Sequence, residues 1–97
     1  MRINVCSELN HAVIGRLAGL PISFGIMVDD GQSVRKAGIV RDSWNRYEGD
    51  DDTPIPMFSV LHWDRPWGEW VEEYRVDKLA ARFDVISVEK AAEIQSR

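Results

Sequence analysis

The sequence predicts a mainly β domain, a small barrel or roll of about five strands, with a short helix near the N-terminus and a helical tail. An α+β roll is the alternative. Three observations carry this. Ile22, Phe24, Ile26 and Val28 fall on alternate positions, and the period of two resumes in "SVRKAGIV" after the turn residues "DDG". "MFSVLHW" is a short apolar run of central-strand character. "EWVEEYRV" alternates again, placing Trp70, Glu72, Tyr74 and Val76 on one face and Val71, Glu73 and Arg75 on the other. The 97 residues, 44% hydrophobic and 29% charged, make one domain with a single modest core and are too apolar for disorder. It divides into an N-terminal extension (1–21), a β core (22–86) and the tail (87–97).

Each element has a local reason. "RINV" starts as a strand. "SELNHAVIGRLAGLP" has Ser7 as a cap, Leu9, Val13, Leu17 and Leu20 at helical spacing, and Gly19 and Pro21 as a stop. Gly15 inside it costs about 1 kcal/mol relative to alanine, so a strand over "AVIGRL" stays open. Residues 22–40 form a hairpin, with Gly25 and Gly38 marking bulges or tight bends. "RDSWNRYEGDDDTPIP" is a long loop. "DRPWG" is a turn with Pro66 at its first central position. "VDKLAARF" is one helical turn or slightly more, with Asp77 as its cap. "DVISV" is a last short strand. "SVEKAAEIQSR" is a helix capped by Ser87 and docked by Val88, Ala91, Ala92 and Ile94.

From residue 34 to 86 the order is "VRKAGIV", a long polar loop, "FSVLHWD", a turn, and "EWVEEYRVDKLAARFDVI". This resembles the SH3-like small β-barrels of the Tudor and KOW kind. The resemblance rests on Gly38-Ile39-Val40, Val60 to Asp64, Trp70 to Val76 and Val76 to Leu79, and it implies a 3₁₀ turn before the last strand. It also implies recognition of peptides, modified side chains or nucleic acid through loop aromatics.

Charge narrows the function. Residues 1–40 carry +1 and residues 41–97 carry −5, for a net −4. Arg35-Lys36 is too short for a basic patch, so the chain is a poor phosphate-backbone binder. One cysteine, Cys6, permits no internal disulfide, and no apolar run approaches a membrane span or a leader's apolar stretch. The expected location is cytoplasmic. No P-loop, dinucleotide fingerprint or metal-ligand spacing occurs. Cys6 reads as a small buried apolar group and His62 as structural. No enzyme, cofactor or metal is expected. "GDDD" lacks the alternate-position carboxylates of a calcium loop, and it reads as a solvated tip or an acidic contact.

What remains is aromatic and acidic. "HWDRPWGEWVEEY" holds three of the four tryptophans. Trp63 and Trp70 sit on strands and are expected to pack inside. Trp67, in a turn, and Trp44 and Tyr47, in the long loop, are the exposed candidates for contact. Between Arg41 and Glu73 stand nine acidic and three basic residues, a local −6. The sequence therefore predicts a non-enzymatic protein-interaction module with one contact edge made of Trp44, Tyr47, Asp50, Asp51, Asp52, Asp64, Arg65, Trp67 and Glu69. Its partner is another protein with a basic surface. An aromatic cage for a cation, with Asp64 or Glu69 as the carboxylate, is a narrower version. The alternatives are an acidic inhibitor that blocks another protein's nucleic-acid groove, and direct nucleic-acid binding through Arg35, Lys36, Arg41 and Arg46. A homodimer through an exposed strand edge is also compatible.

Overall fold

The computed structural model describes residues 2–4, 10–28, 31–50, 52–64 and 68–96. Six strands run in chain order: β1 (Arg2–Asn4), β2 (Pro21–Met27), β3 (Ser33–Arg46), β4 (Ile55–Asp64), β5 (Gly68–Arg75) and β6 (Leu79–Val85). Helix α1 (His11–Gly15) follows β1, a 3₁₀ turn (Val76–Lys78) joins β5 to β6, and α2 (Val88–Gln95) closes the chain. The domain is mainly β with a helix toward each end, as the sequence predicts. Its one antiparallel sheet, of order β1-β6-β2-β3-β4-β5, is not closed into a barrel. The sixth strand, β1, comes from the N-terminal extension and pairs with β6.

The sheet bends through β3. Residues 33–39 of β3 pair with β2, while residues 39–46 pair with β4. The register shifts between Val40 and Asp42, a bulge that bends and twists the strand. The bend can be read from the core. Phe24 on β2 and Tyr74 on β5 are three strand spacings apart along the sheet, about 14 Å if it were flat. Their ring centroids lie 5.1 Å apart. Phe24 also meets Phe58 at 5.4 Å and Phe83 at 6.1 Å, so four rings from four strands share one interior. Ile14, Leu17, Ile22, Val40, Val60 and Val76 surround them. Gly25 permits the other close approach: a Cβ there would stand 2.6 Å from the Ala80 carbonyl oxygen of β6, where that pairing slips register.

Several local expectations are corrected. Helix α1 spans only five residues, and its cap is Asn10, whose side chain accepts the Val13 N–H at 3.0 Å; Ser7 and Leu9 lie outside the described residues. The helix stops because the Gly19 N–H turns to the Val40 carbonyl and the Val40 N–H to that of Leu20, tying the chain to β3. Ile14 then packs inside, while Leu20 is exposed. The long loop is shorter than the sequence implies. Residues 42–46 pair with 55–59, leaving 47–54 as the connection, because each added pair satisfies backbone groups that composition does not register. Only Val76–Lys78 of "VDKLAARF" is helical, as the SH3-like resemblance implies. The rest is β6, drawn out by pairing with both β1 and β2. Asp77 caps nothing and is held by Arg75 at 2.7 and 3.0 Å. In α2, Ser87 accepts the Lys90 N–H at 3.1 Å, and Ala91 is buried with Ala92 and Ile94 partly so. Val88, in the first turn, is exposed.

Candidate functional site

The inner faces of β4 and β5 carry facing rows. Phe58 stands opposite Tyr74, Val60 opposite Glu72, and His62 opposite Trp70. On β4 all three are buried. On β5 the row runs from core to water: Tyr74 is 8% exposed and Trp70 39%. Trp70, expected inside, lies on the inner face but is exposed, because among the described residues no strand flanks the outer side of β5. Its ring stacks on His62 at 5.7 Å. Trp63, also expected inside, is half-buried. A cleft of about 220 Å³ opens here, between Arg35-Lys36-Ala37 of β3, His62, Trp70, Glu72, and Ile94 and Gln95 of α2. That is smaller than a typical pocket for a drug-sized ligand and suits one side chain.

The cleft floor is a hydrogen-bonded chain centred on His62. Its Nδ1 lies 2.8 Å from the Ala37 carbonyl oxygen and 3.2 Å from Gln95 Oε1. Its Nε2 lies 2.7 Å from the Tyr74 hydroxyl. Gln95 Oε1 also accepts the Trp63 N–H at 3.0 Å, so α2 is pinned to the end of β4. The Tyr74 hydroxyl donates to Glu72 Oε2, and the Trp70 indole N–H donates to Glu72 Oε1 at 3.1 Å. Proton counting constrains the chain. Carbonyl oxygens only accept, so Nδ1 must donate. Tyr74 has one hydroxyl proton, and its oxygen bridges Glu72 and His62 Nε2. Gly38 holds β3 against this point, since a Cβ there would collide with Val60 Cγ1 and the Leu61 carbonyl and sit 3.2 Å from His62 Nδ1.

The Tyr74 hydrogen bond holds the Glu72 carboxyl below its ordinary range, against opposing desolvation and with help from Trp70, Lys36 and His62. Burial, then the hydrogen bond to Glu72, pushes the Tyr74 hydroxyl up. The signs give a pH profile. A depressed carboxyl contributes stability that is full above its unfolded value and is lost as pH falls through the folded one. A raised phenol contributes stability that is full below about 10, the ordinary tyrosine value, and is lost as pH rises beyond it. Glu72→Gln should flatten the acid limb of the urea midpoint below about pH 4.3. Tyr74→Phe should flatten the alkaline limb. Unchanged limbs in both variants would contradict the assignment. Glu72 is 43% exposed in its side chain, so solvent screening keeps the acid effect modest.

Six of the nine residues proposed from sequence as a contact edge lie among the described residues. Trp44 lies on β3 opposite Met57 and is half-buried, so it is a strand residue, not a loop anchor. Tyr47, Asp50 and Asp52 are exposed in the 47–54 connection. Asp64 ends β4 opposite Gly68, and Glu69 is exposed on β5. Asp51, Arg65 and Trp67 lie outside the described residues. The described residues fall into two groups toward opposite ends of β4, about 30 Å apart along a straight strand of that length. Of the cations, Arg46 pairs with Glu48 at 2.9 Å and Arg35 lies 3.9 Å from Asp84. The residues that do converge are His62, Trp70, Glu72, Tyr74 and Gln95. A signal for three of them was present in the Trp70-Glu72-Tyr74 alternation. Gln95, 32 residues beyond Trp63, had none.

The fold and this site define a small antiparallel β domain with an exposed, acidic edge strand beside a narrow cleft. No family model, no curated protein and no solved structure matches the chain. Among the described residues, no three His, Cys, Asp or Glu side chains gather into a group able to hold a metal ion, and no helix is long and apolar enough to cross a membrane.

Proposed function

We propose that the chain is a non-enzymatic interaction module on an SH3-like curved sheet, and that β5 and the adjoining cleft bind a partner protein with a basic surface. One observation carries this: the edge strand β5 exposes Trp70 and Val71 among Glu69, Glu72 and Glu73. A half-exposed tryptophan already braced by a neighbouring ring and an indole hydrogen bond loses little freedom on binding, which is what a contact anchor requires. The order β6-β2-β3-β4-β5, with a 3₁₀ turn between β5 and β6, supports the SH3-like part.

The test is retention of partners from host extract on the immobilised chain, mass-spectrometric identification, and titration of the purified partner. Trp70→Ala should weaken binding about tenfold or more while the melting temperature moves little. Binding should fall with added salt, because the attraction is between exposed charges. A partner displaced by DNA or RNA would favour the acidic-inhibitor reading, which the local −6 between residues 41 and 73 also supports. A partner bound equally by Trp70→Ala, or no protein retained at all, would overturn the proposal.

A further inference from the structure

We infer that the partner docks by adding an extended basic segment as a seventh strand alongside β5. The inference rests on the interaction-module reading and names the occupant of its site. Three features of β5 carry it.

First, among the described residues β5 is an end of the sheet, with β4 on one side only. In an antiparallel pair the N–H and C=O of one residue point the same way, alternately toward and away from the neighbour. Every second residue of β5 therefore turns both groups to the open side. Second, β5 is guarded only by its charged side chains, which a partner of opposite charge would neutralise. It pairs with β4 over eight consecutive residues with no register shift, and it contains no proline and no lysine. The opposite edge, β1, is three residues long. Third, its side chains select a partner. Glu69, Val71 and Glu73 share the outer face and are all exposed, with Val71 at 52%. The two carboxylates stand about 13 Å apart with the valine between them. Directly opposed cross-strand residues interact most strongly. The complement is a basic, an apolar and a basic residue at alternate positions of an extended segment. The residues between them would face Trp70 and the cleft.

A second copy of this chain is a poorer occupant. β5 carries three glutamates and one arginine, and that Arg75 is already bound by Asp77. Two such strands side by side would repel, whereas a lysine- or arginine-bearing segment would be attracted.

The probe is a pair of synthetic peptides, Thr-Lys-Thr-Val-Thr-Lys-Thr and its Glu-for-Lys counterpart, both with blocked ends, titrated into the isotope-labelled chain at low salt. The lysine peptide is expected to protect alternate β5 amides from hydrogen exchange and to bind about tenfold more tightly than the glutamate peptide. The double variant Glu69→Lys/Glu73→Lys should reverse that preference, and both positions are exposed enough for the fold to survive. Equal binding of the two peptides, shifts confined to the 47–54 connection, or no binding would overturn strand addition. Protection of β5 that grows with protein concentration and no peptide would overturn it in favour of self-pairing. In each of these cases the module reading stands or falls separately, on retention of a partner and its Trp70 dependence.

Discussion

Phe24→Ala is expected to lower the unfolding free energy by about 3–5 kcal/mol, the range for truncating a buried phenylalanine. Phe24 is fully buried and, like Phe58, has its ring within 6.1 Å of all three others in the core. Its loss removes the transferred apolar area and leaves a cavity where both halves of the bent sheet meet. Two of its contacts are edge-to-face, an arrangement worth about 0.5–1.5 kcal/mol beyond area alone. A domain of this length holds roughly 5–15 kcal/mol in total, so the variant should unfold at much lower urea. Phe24→Leu, which keeps most of the volume, should cost less than half as much. A loss below about 1.5 kcal/mol for Phe24→Ala would mean that the sheet does not fold around this ring.

His62→Leu is expected to cost about 2–4 kcal/mol although leucine fills similar space. The side chain is 4% exposed, and its removal leaves the Ala37 carbonyl and the Tyr74 hydroxyl short of a partner. Each buried group left unsatisfied costs about 1–3 kcal/mol. The helix contact should loosen too, because Gln95 Oε1 loses one of its two partners at the end of β4. Hydrogen exchange in α2 should therefore accelerate more than in β2. Tyr74→Phe alone should cost about 1–2 kcal/mol, since one hydroxyl serves both His62 and Glu72. The double variant should lose less than the sum of the two, with a coupling of about 0.5–3 kcal/mol. Strict additivity would show that the two side chains are not one network.

These predictions concern residues that the sequence ranked unevenly. Phe24 was legible as a core residue because its strand alternates. His62 was read only as structural, which its burial supports, but its partners are 12, 25 and 33 positions away. No local pattern reports such separations. Trp70 shows the same limit. The alternation correctly placed it on the inner face with Tyr74, yet an inner face is buried only where the sheet covers it, and β5 is an edge. Trp44 fails for the converse reason. Its neighbours Asn45, Gly49 and Pro54 look like loop chemistry, but the chain on either side pairs into strands up to Arg46 and from Ile55.

The β class, the alternating strands β2, β3 and β5, the apolar strand β4 and the Ser87-capped tail helix were legible in the sequence. Side-chain alternation and a helix cap act over a few residues, so these survive without the rest of the fold. The sequence by itself also determined the acidic balance of the second half. Only the tertiary structure decided which strands lie at the edges, where the sheet bends, and which aromatic rings meet water. Those depend on pairing between segments far apart in the chain, and pairing sets burial. The surface proposed on β5 is legible only in the tertiary structure, because a strand becomes a contact surface by lacking a neighbour.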